Sequence, residues 1–195
     1  ILWTAQKDLP RDRLSVVVIY YHARMHYAAF LRGINVGGKV IISMAELKKL
    51  LEGAGFKEVK TLLASGNVIF DAPKATTDSL EKKIETILKK KYGRDIHVFV
   101  RTMDELQKMD KMQPFKGIKV TKNTRLYVSF CKEKQSSVVP KKFPGYSILS
   151  VKDREIFSVL ELSDKVKTPD VMKLLGQKGA TTMRNWNTVQ KILSS

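Results

Sequence analysis

MHYAAFLRGINVGGKVIISMAELKKLLEGAGFKEVKTLLASGNVIF, residues 25–70, carries most of the information about the fold. Its first part, His26 to Leu31, is a short apolar run that suits a buried strand. A glycine-rich loop, Gly33 to Lys39, follows. Ser43 with Glu46 spells a capping box, in which each side chain satisfies a free backbone N–H at a helix start. Leu47, Leu50 and Leu51 then recur at helical spacing, and Gly53 and Gly55 stop the helix. Val59 to Ala64 and Val68 to Phe70 read as two strands, and Ser65-Gly66-Asn67 between them is turn chemistry, so a hairpin is expected.

Working outward, Thr77 or Asp78 is expected to cap a second helix with Leu80, Ile84, Ile87 and Leu88 on one stripe and Gly93 at its end. Ile96 to Val100 supplies a fourth strand. The resulting βαββαβ order is the ferredoxin-like arrangement. The later residues give a helix over Met103 to Met112, a strand over Arg125 to Phe130, and a hairpin of Tyr146 to Val151 with Glu155 to Leu162. The polar segment from Lys132 to Gly145 reads as a loop. Thr168, Pro169 and Gly176 frame a short helix, and Thr181 or Thr182 is expected to open a last helix through Leu193. The class is α+β: a ferredoxin-like subdomain over 25–102 packed with a second α+β subdomain over 103–195. Residues 1–24, which include the VVVIYY run, are expected to be an extension outside this organisation.

Three stretches stand out together: LRGINVGGK (31–39), ASGNVIF (64–70) and TTMRNWNTV (181–189). In this order and spacing the chain, from about Met25 onward, resembles the bacterial family known as domain of unknown function 1697. The resemblance implies two small α+β subdomains, the first ferredoxin-like. It implies no activity, substrate or cofactor.

The 195 residues carry a net charge of +17, which draws polyanions over long range. Much of the excess is lysine spread along helices, as at Lys48, Lys49, Lys82, Lys83 and 89–91, so a diffuse polyelectrolyte surface is the plainer reading. No window reaches the ~20 apolar residues that a membrane-spanning helix needs. One cysteine, Cys131, permits no internal disulfide, and the expected location is cytoplasmic.

Most catalytic chemistries lack their residues. Gly33 to Val40 nearly spells the phosphate-binding G-x-x-x-x-G-K-[ST] loop, but Val40 stands where a hydroxyl should hold Mg²⁺. The helix also starts at Ser43, too late for its N-terminus to meet phosphates. His22, His26 and His97 lack metal-ligand spacing, so no metal or cofactor is expected. Cys131 sits inside a strand as an inert thiol, and no G-x-S-x-G elbow occurs. Glu81 and Glu85 share a helix face among lysines, which reads as solvated surface. A sheet-face RNA site of the RNA-recognition type is poorly supported. Tyr27 and Phe30 point to opposite faces, the third strand offers only Phe70, and the RNP1 pattern is absent.

One polar set remains. It joins Arg32, Asn35 and Lys39 with the Ser65/Asn67 turn and with Arg184, Asn185, Asn187 and Thr188, the multi-donor residues expected at a helix start. The leading reading is a non-catalytic binder of an anionic ligand: a nucleotide, phosphate or nucleic-acid fragment. The partners expected are an anionic small molecule or non-specific nucleic acid, and no membrane. An enzyme acting on a phosphorylated small molecule is the alternative, and it requires a general base or metal carboxylate in the same cleft. A protein-interaction module is a third. It requires an exposed apolar patch and no concave polar pocket.

Overall fold

Strand β1, Arg24–Leu31, is buried along Tyr27 to Leu31 with no alternating polar positions. Such a run belongs to a strand covered on both faces. The computed structural model of the chain, which describes residues 24–36, 40–136, 141–163, 173–174 and 180–195, shows what covers them. After β1 come α1 (Met44–Gly53), β2 (Lys57–Leu62), β3 (Asn67–Pro73), α2 (Thr77–Tyr92) and β4 (Val98–Thr102). The strands form one antiparallel sheet in the order β2-β3-β1-β4. Next are α3 (Met103–Lys111), β5 (Thr124–Cys131), β6 (Lys141–Phe143), β7 (Tyr146–Lys152), β8 (Glu155–Glu161), β9 (Thr181–Asn185) and α4 (Trp186–Leu193). Their strands make a second antiparallel sheet in the order β6-β7-β8-β5-β9. The protein is therefore α+β, and its first six elements follow the expected βαββαβ order. No helix among the described residues is long and apolar enough to cross a membrane.

Alternation along β1 divides the core. Tyr27, Ala29 and Leu31 face α1 and α2, where Leu47, Leu51, Leu80, Ile84 and Leu88 pack. Ala28 and Phe30 face the other way, onto Val128, Phe130 and Phe157 of the second sheet and onto α3 and α4. Phe30 stacks on Phe130 with ring centroids 4.2 Å apart, a pair worth about 1 kcal/mol beyond its buried area. The first sheet is thus a middle layer. The face an RNA-recognition module would leave open is occupied by protein.

Local signals place most boundaries. The Thr76 side chain accepts the Ser79 N–H and caps α2, one residue earlier than Thr77. Gly93 ends that helix in the left-handed conformation, with φ 66°. Ser43 caps α1 through the Glu46 N–H, and α3 carries a full capping box between Thr102 and Glu105. Three expectations need correction. Residues 181–185 are a strand rather than a helical turn, because Thr181 to Asn185 pair with Cys131 to Tyr127 of β5. The helix begins only at Trp186, capped by Asn185. The expected loop over 132–145 contains β6. The short helix expected around Thr168 to Gly176 lies outside the described residues, apart from 173–174.

The third correction concerns Glu81, which is buried rather than solvated. β4 is a sheet edge, so one row of its N–H groups lacks a strand partner. Glu81 accepts the Val100 N–H and Glu85 accepts the Val98 N–H, each at 2.8 Å. Lys132, at the end of β5, bridges the two carboxylates at 2.8 and 2.7 Å. Beside it the buried Arg101 holds Glu155 at 2.6 Å and the Cys131 carbonyl at 2.9 Å. At the opposite edge β2 breaks register between Lys57 and Lys60, with Glu58 at φ 47°. Removing Glu81 strands the buried Val100 N–H and takes from Lys132 one of its two carboxylates. Glu81→Ala is expected to cost about 3 kcal/mol in urea unfolding with the m-value unchanged. A loss under about 1 kcal/mol would show that the β4 edge does not need this cap.

Candidate functional site

The three conspicuous stretches meet in space, and Arg184 joins them. Its strand β9 lies beside β5, and its side chain crosses to the end of β1 and to the β2–β3 turn. Nε donates to Asn67 Oδ1 at 2.6 Å, Nη1 to Thr182 Oγ1 and the Met183 carbonyl, and Nη2 to the carbonyls of Leu31 and Ser65. All five guanidinium N–H donors are thereby used. The group lies 5.6 Å from the centre of the Phe30 ring, and no carboxylate pairs with it among the described residues. Burial pushes its pKa down to about 10, so it remains a cation at neutral pH.

The neighbouring side chains are used in the same way. Asn67 donates to the Leu62 carbonyl and to Ser65 Oγ. Asn35 donates to the carbonyls of Ile42 and Ala64 and accepts the Ile42 N–H, which ties the glycine loop to the hairpin turn. Gly66 has φ 75°, and a Cβ there would lie 2.6 Å from Ile34 Cδ1, so glycine is required. Of the expected site residues, Asn35, Ser65, Asn67 and Arg184 are brought together, as a clasp whose polar groups satisfy one another. Arg32 is exposed and its side chain is unpaired among the described residues. Asn185 caps α4 by accepting the Asn187 N–H. The Asn187 and Thr188 side chains make no hydrogen bond to the clasp among the described residues. Lys39 lies outside the described residues.

A cleft of about 550 Å³ opens elsewhere, between α3 and the turn joining β7 to β8. Leu106, Met109 and Met112 give it an apolar floor, and Lys108, Lys111 and Lys152 stand on its rim. Its carboxylates are engaged: Glu105 by the Thr102 N–H and Arg154, Glu155 by Arg101, and Asp153 by Lys134. Lys108 and Lys111 have no acidic partner among the described residues. They sit three apart on α3, hence on one face. Nothing in the sequence marked this site beyond a lysine-bearing helix next to a turn.

The profile of the family described as "Protein of unknown function (DUF1697)" matches residues 25–157, more than half of the chain. The chain belongs to the DUF1697 family. No curated protein matches it. A solved structure of a conserved bacterial protein from Streptococcus pneumoniae is similar, with 22% identity and a TM-score of 0.62. That similarity covers 88% of this chain and 98% of the other, and it speaks to the fold.

In this DUF1697 chain the third conspicuous stretch lies beyond the matched residues, yet Arg184 from that stretch completes the clasp on the first two. No group of three or more His, Cys, Asp or Glu side chains able to hold a metal occurs among the described residues. Cys131 is buried, and desolvation raises its thiol to about 12. It is a neutral thiol at physiological pH. Two outcomes follow for the DUF1697 protein. Arg184→Met removes the donor that reaches the Leu31, Ser65 and Met183 carbonyls, Asn67 and Thr182, and is expected to cost about 3 kcal/mol by denaturant titration; a near-neutral result would show the clasp to be dispensable. At pH 8, native Cys131 should react with Ellman's reagent at least about a hundredfold more slowly than in denaturant, and fast native labelling would contradict the burial argument.

Proposed function

We propose that this DUF1697 chain is a non-catalytic binder of an anionic ligand, a nucleotide, phosphate or nucleic-acid fragment, held in the α3 cleft. The observation that carries this is the pairing of an apolar floor with Lys108 and Lys111, two cations on one helix face that no protein carboxylate neutralises among the described residues. The volume falls in the range of small-molecule sites, and a mostly apolar lining with a few placed charges is their usual chemistry. The same reading moves the anion away from the clasp. Binding at Arg184 would require breaking the bonds that hold the β2–β3 turn, which leaves Arg32 as the clasp's open cation.

An enzyme would need a carboxylate or histidine free to move a proton in this cleft. Glu105, Asp153 and Glu155 are each committed to a cation or a helix cap, which favours binding over catalysis. Val36, Ile41 and Leu63 are exposed apolar side chains, but the interaction-module alternative also requires that no concave polar pocket be present, and the charged side chains around the α3 cleft count against it. The βαββαβ order and the β2-β3-β1-β4 sheet support a ferredoxin-like subdomain over 25–102, with 103–195 as its partner subdomain.

The test uses a fluorescent nucleoside triphosphate in anisotropy titrations. Lys108→Ala/Lys111→Ala is expected to weaken binding about tenfold, two charge-assisted contacts of roughly 0.7 kcal/mol each. Lys49→Ala/Lys90→Ala removes the same charge elsewhere and should change affinity less than about twofold. Equal loss in both double variants would sink the assignment and leave only the diffuse +17 surface.

A further inference from the structure

A second pocket, of about 300 Å³, lies around the end of the same helix α3 that lines the first. Lys111 and Met112 line the first, and the next residue, Gln113, lines the second. The second pocket is aromatic. Trp186, at the start of α4, lines it beside Phe115, and the two rings meet edge to face with centroids 5.2 Å apart. Phe115 is held in turn by Phe157 of the core at 5.9 Å, so the indole is held in orientation while it remains only partly buried.

The segment that supplies α3 and leads on past the second pocket is one-sided in charge, although Glu105, Asp153 and Glu155, each already engaged, also line the α3 cleft. Residues 108–125 contain Lys108, Lys111, Lys116, Lys119, Lys122 and Arg125 against one carboxylate, Asp110. None of the six cations carries a salt bridge among the described residues, and Asp110 is occupied by the Gln190 amide at 2.6 Å. Lys108, Lys111 and Lys116, which line the two pockets without a salt bridge among the described residues, together with a held aromatic ring have a specific complement. It is a flexible polyanion that offers phosphates at intervals and a π-face between them.

We propose that the two pockets form one groove for single-stranded nucleic acid, with backbone phosphates on the α3 lysines and a base stacked on Trp186. A duplex hides its base faces, and a base-free polyanion has none, so neither would use the aromatic pocket. The inference rests on the anion-binding reading of the α3 cleft and adds the stacking half.

Trp3→Phe leaves Trp186 as the one tryptophan. This chain is titrated with single-stranded DNA and RNA of about eight nucleotides, within the usual site size, and with inorganic polyphosphate of similar charge. Single strands are expected to quench Trp186 and polyphosphate is not. Trp186→Leu should weaken the single strands about tenfold, the loss of one stacked base, and leave polyphosphate unchanged. Lys108→Ala/Lys111→Ala should weaken both ligands. Binding of single strands without quenching, and no tighter than polyphosphate, overturns the stacking proposal while the anion site stands. If the lysine variant weakens neither ligand, the anion site falls and this proposal falls with it. Should Trp186→Leu fail to fold, the quenching result on the Trp3→Phe chain decides alone.

Discussion

A guanidinium buried without a counterion is the constraint on which the junction of the two sheets depends. A charge out of water is costly unless its hydrogen bonds are complete, and Arg184 completes all of them with neutral acceptors. Besides Thr182 and Met183 of its own strand, those acceptors are the Leu31 carbonyl at the end of β1, the Ser65 carbonyl in the β2–β3 turn and the Asn67 side chain, so the cation can be satisfied only if these segments hold one conformation. The tight Gly66 turn, the side-chain bonds of Asn67 and the bonds from Asn35 across the glycine loop are the conditions for presenting those carbonyls together. Residues that look from the sequence like a ligand site are thus tied to each other.

The middle position of the first sheet follows the same logic on the apolar side. With Tyr27 to Leu31 buried from both faces, the helices and the second sheet must both be present to cover β1. Function is thereby pushed to the periphery, to helix ends and turns that the core does not consume. α3 is such an element. One side packs Leu106 and Met109 into the shared core, and the other carries lysines toward open space.

Most of the first six elements were legible in the sequence because their signals are local: apolar periodicity in α1 and α2, Ser-Gly-Asn turn chemistry, and Gly93 as a stop. Cap positions shifted by a residue, as helix ends commonly do. The errors came from partners distant in the chain. Thr181 or Thr182 suits a helix start, yet Thr181 to Asn185 become a strand because β5 supplies a ladder fifty or more residues away. Glu81 looked like a glutamate in a lysine-rich helix, and the Val100 N–H and Lys132 bury it. The three stretches were conspicuous in the sequence, but neither their meeting nor the mutual saturation of their donors and acceptors was legible, since both are matters of distance. The α3 cleft left no trace, because unpaired lysines read the same as paired ones.

The two glutamates of α2 also bear on how copies of the chain meet one another. An uncovered strand edge is a template for another chain, and edge-to-edge pairing of this kind is the first step of fibre growth. Here α2 places carboxylate oxygens where an incoming strand would put its carbonyls, so β4 offers Val98 and Val100 already bonded. The far edge, β2, is interrupted by its register break and studded with Lys57, Glu58 and Lys60. The first sheet therefore ends in the molecule on both sides. At this sheet, a neighbouring copy finds no row of free backbone groups to extend.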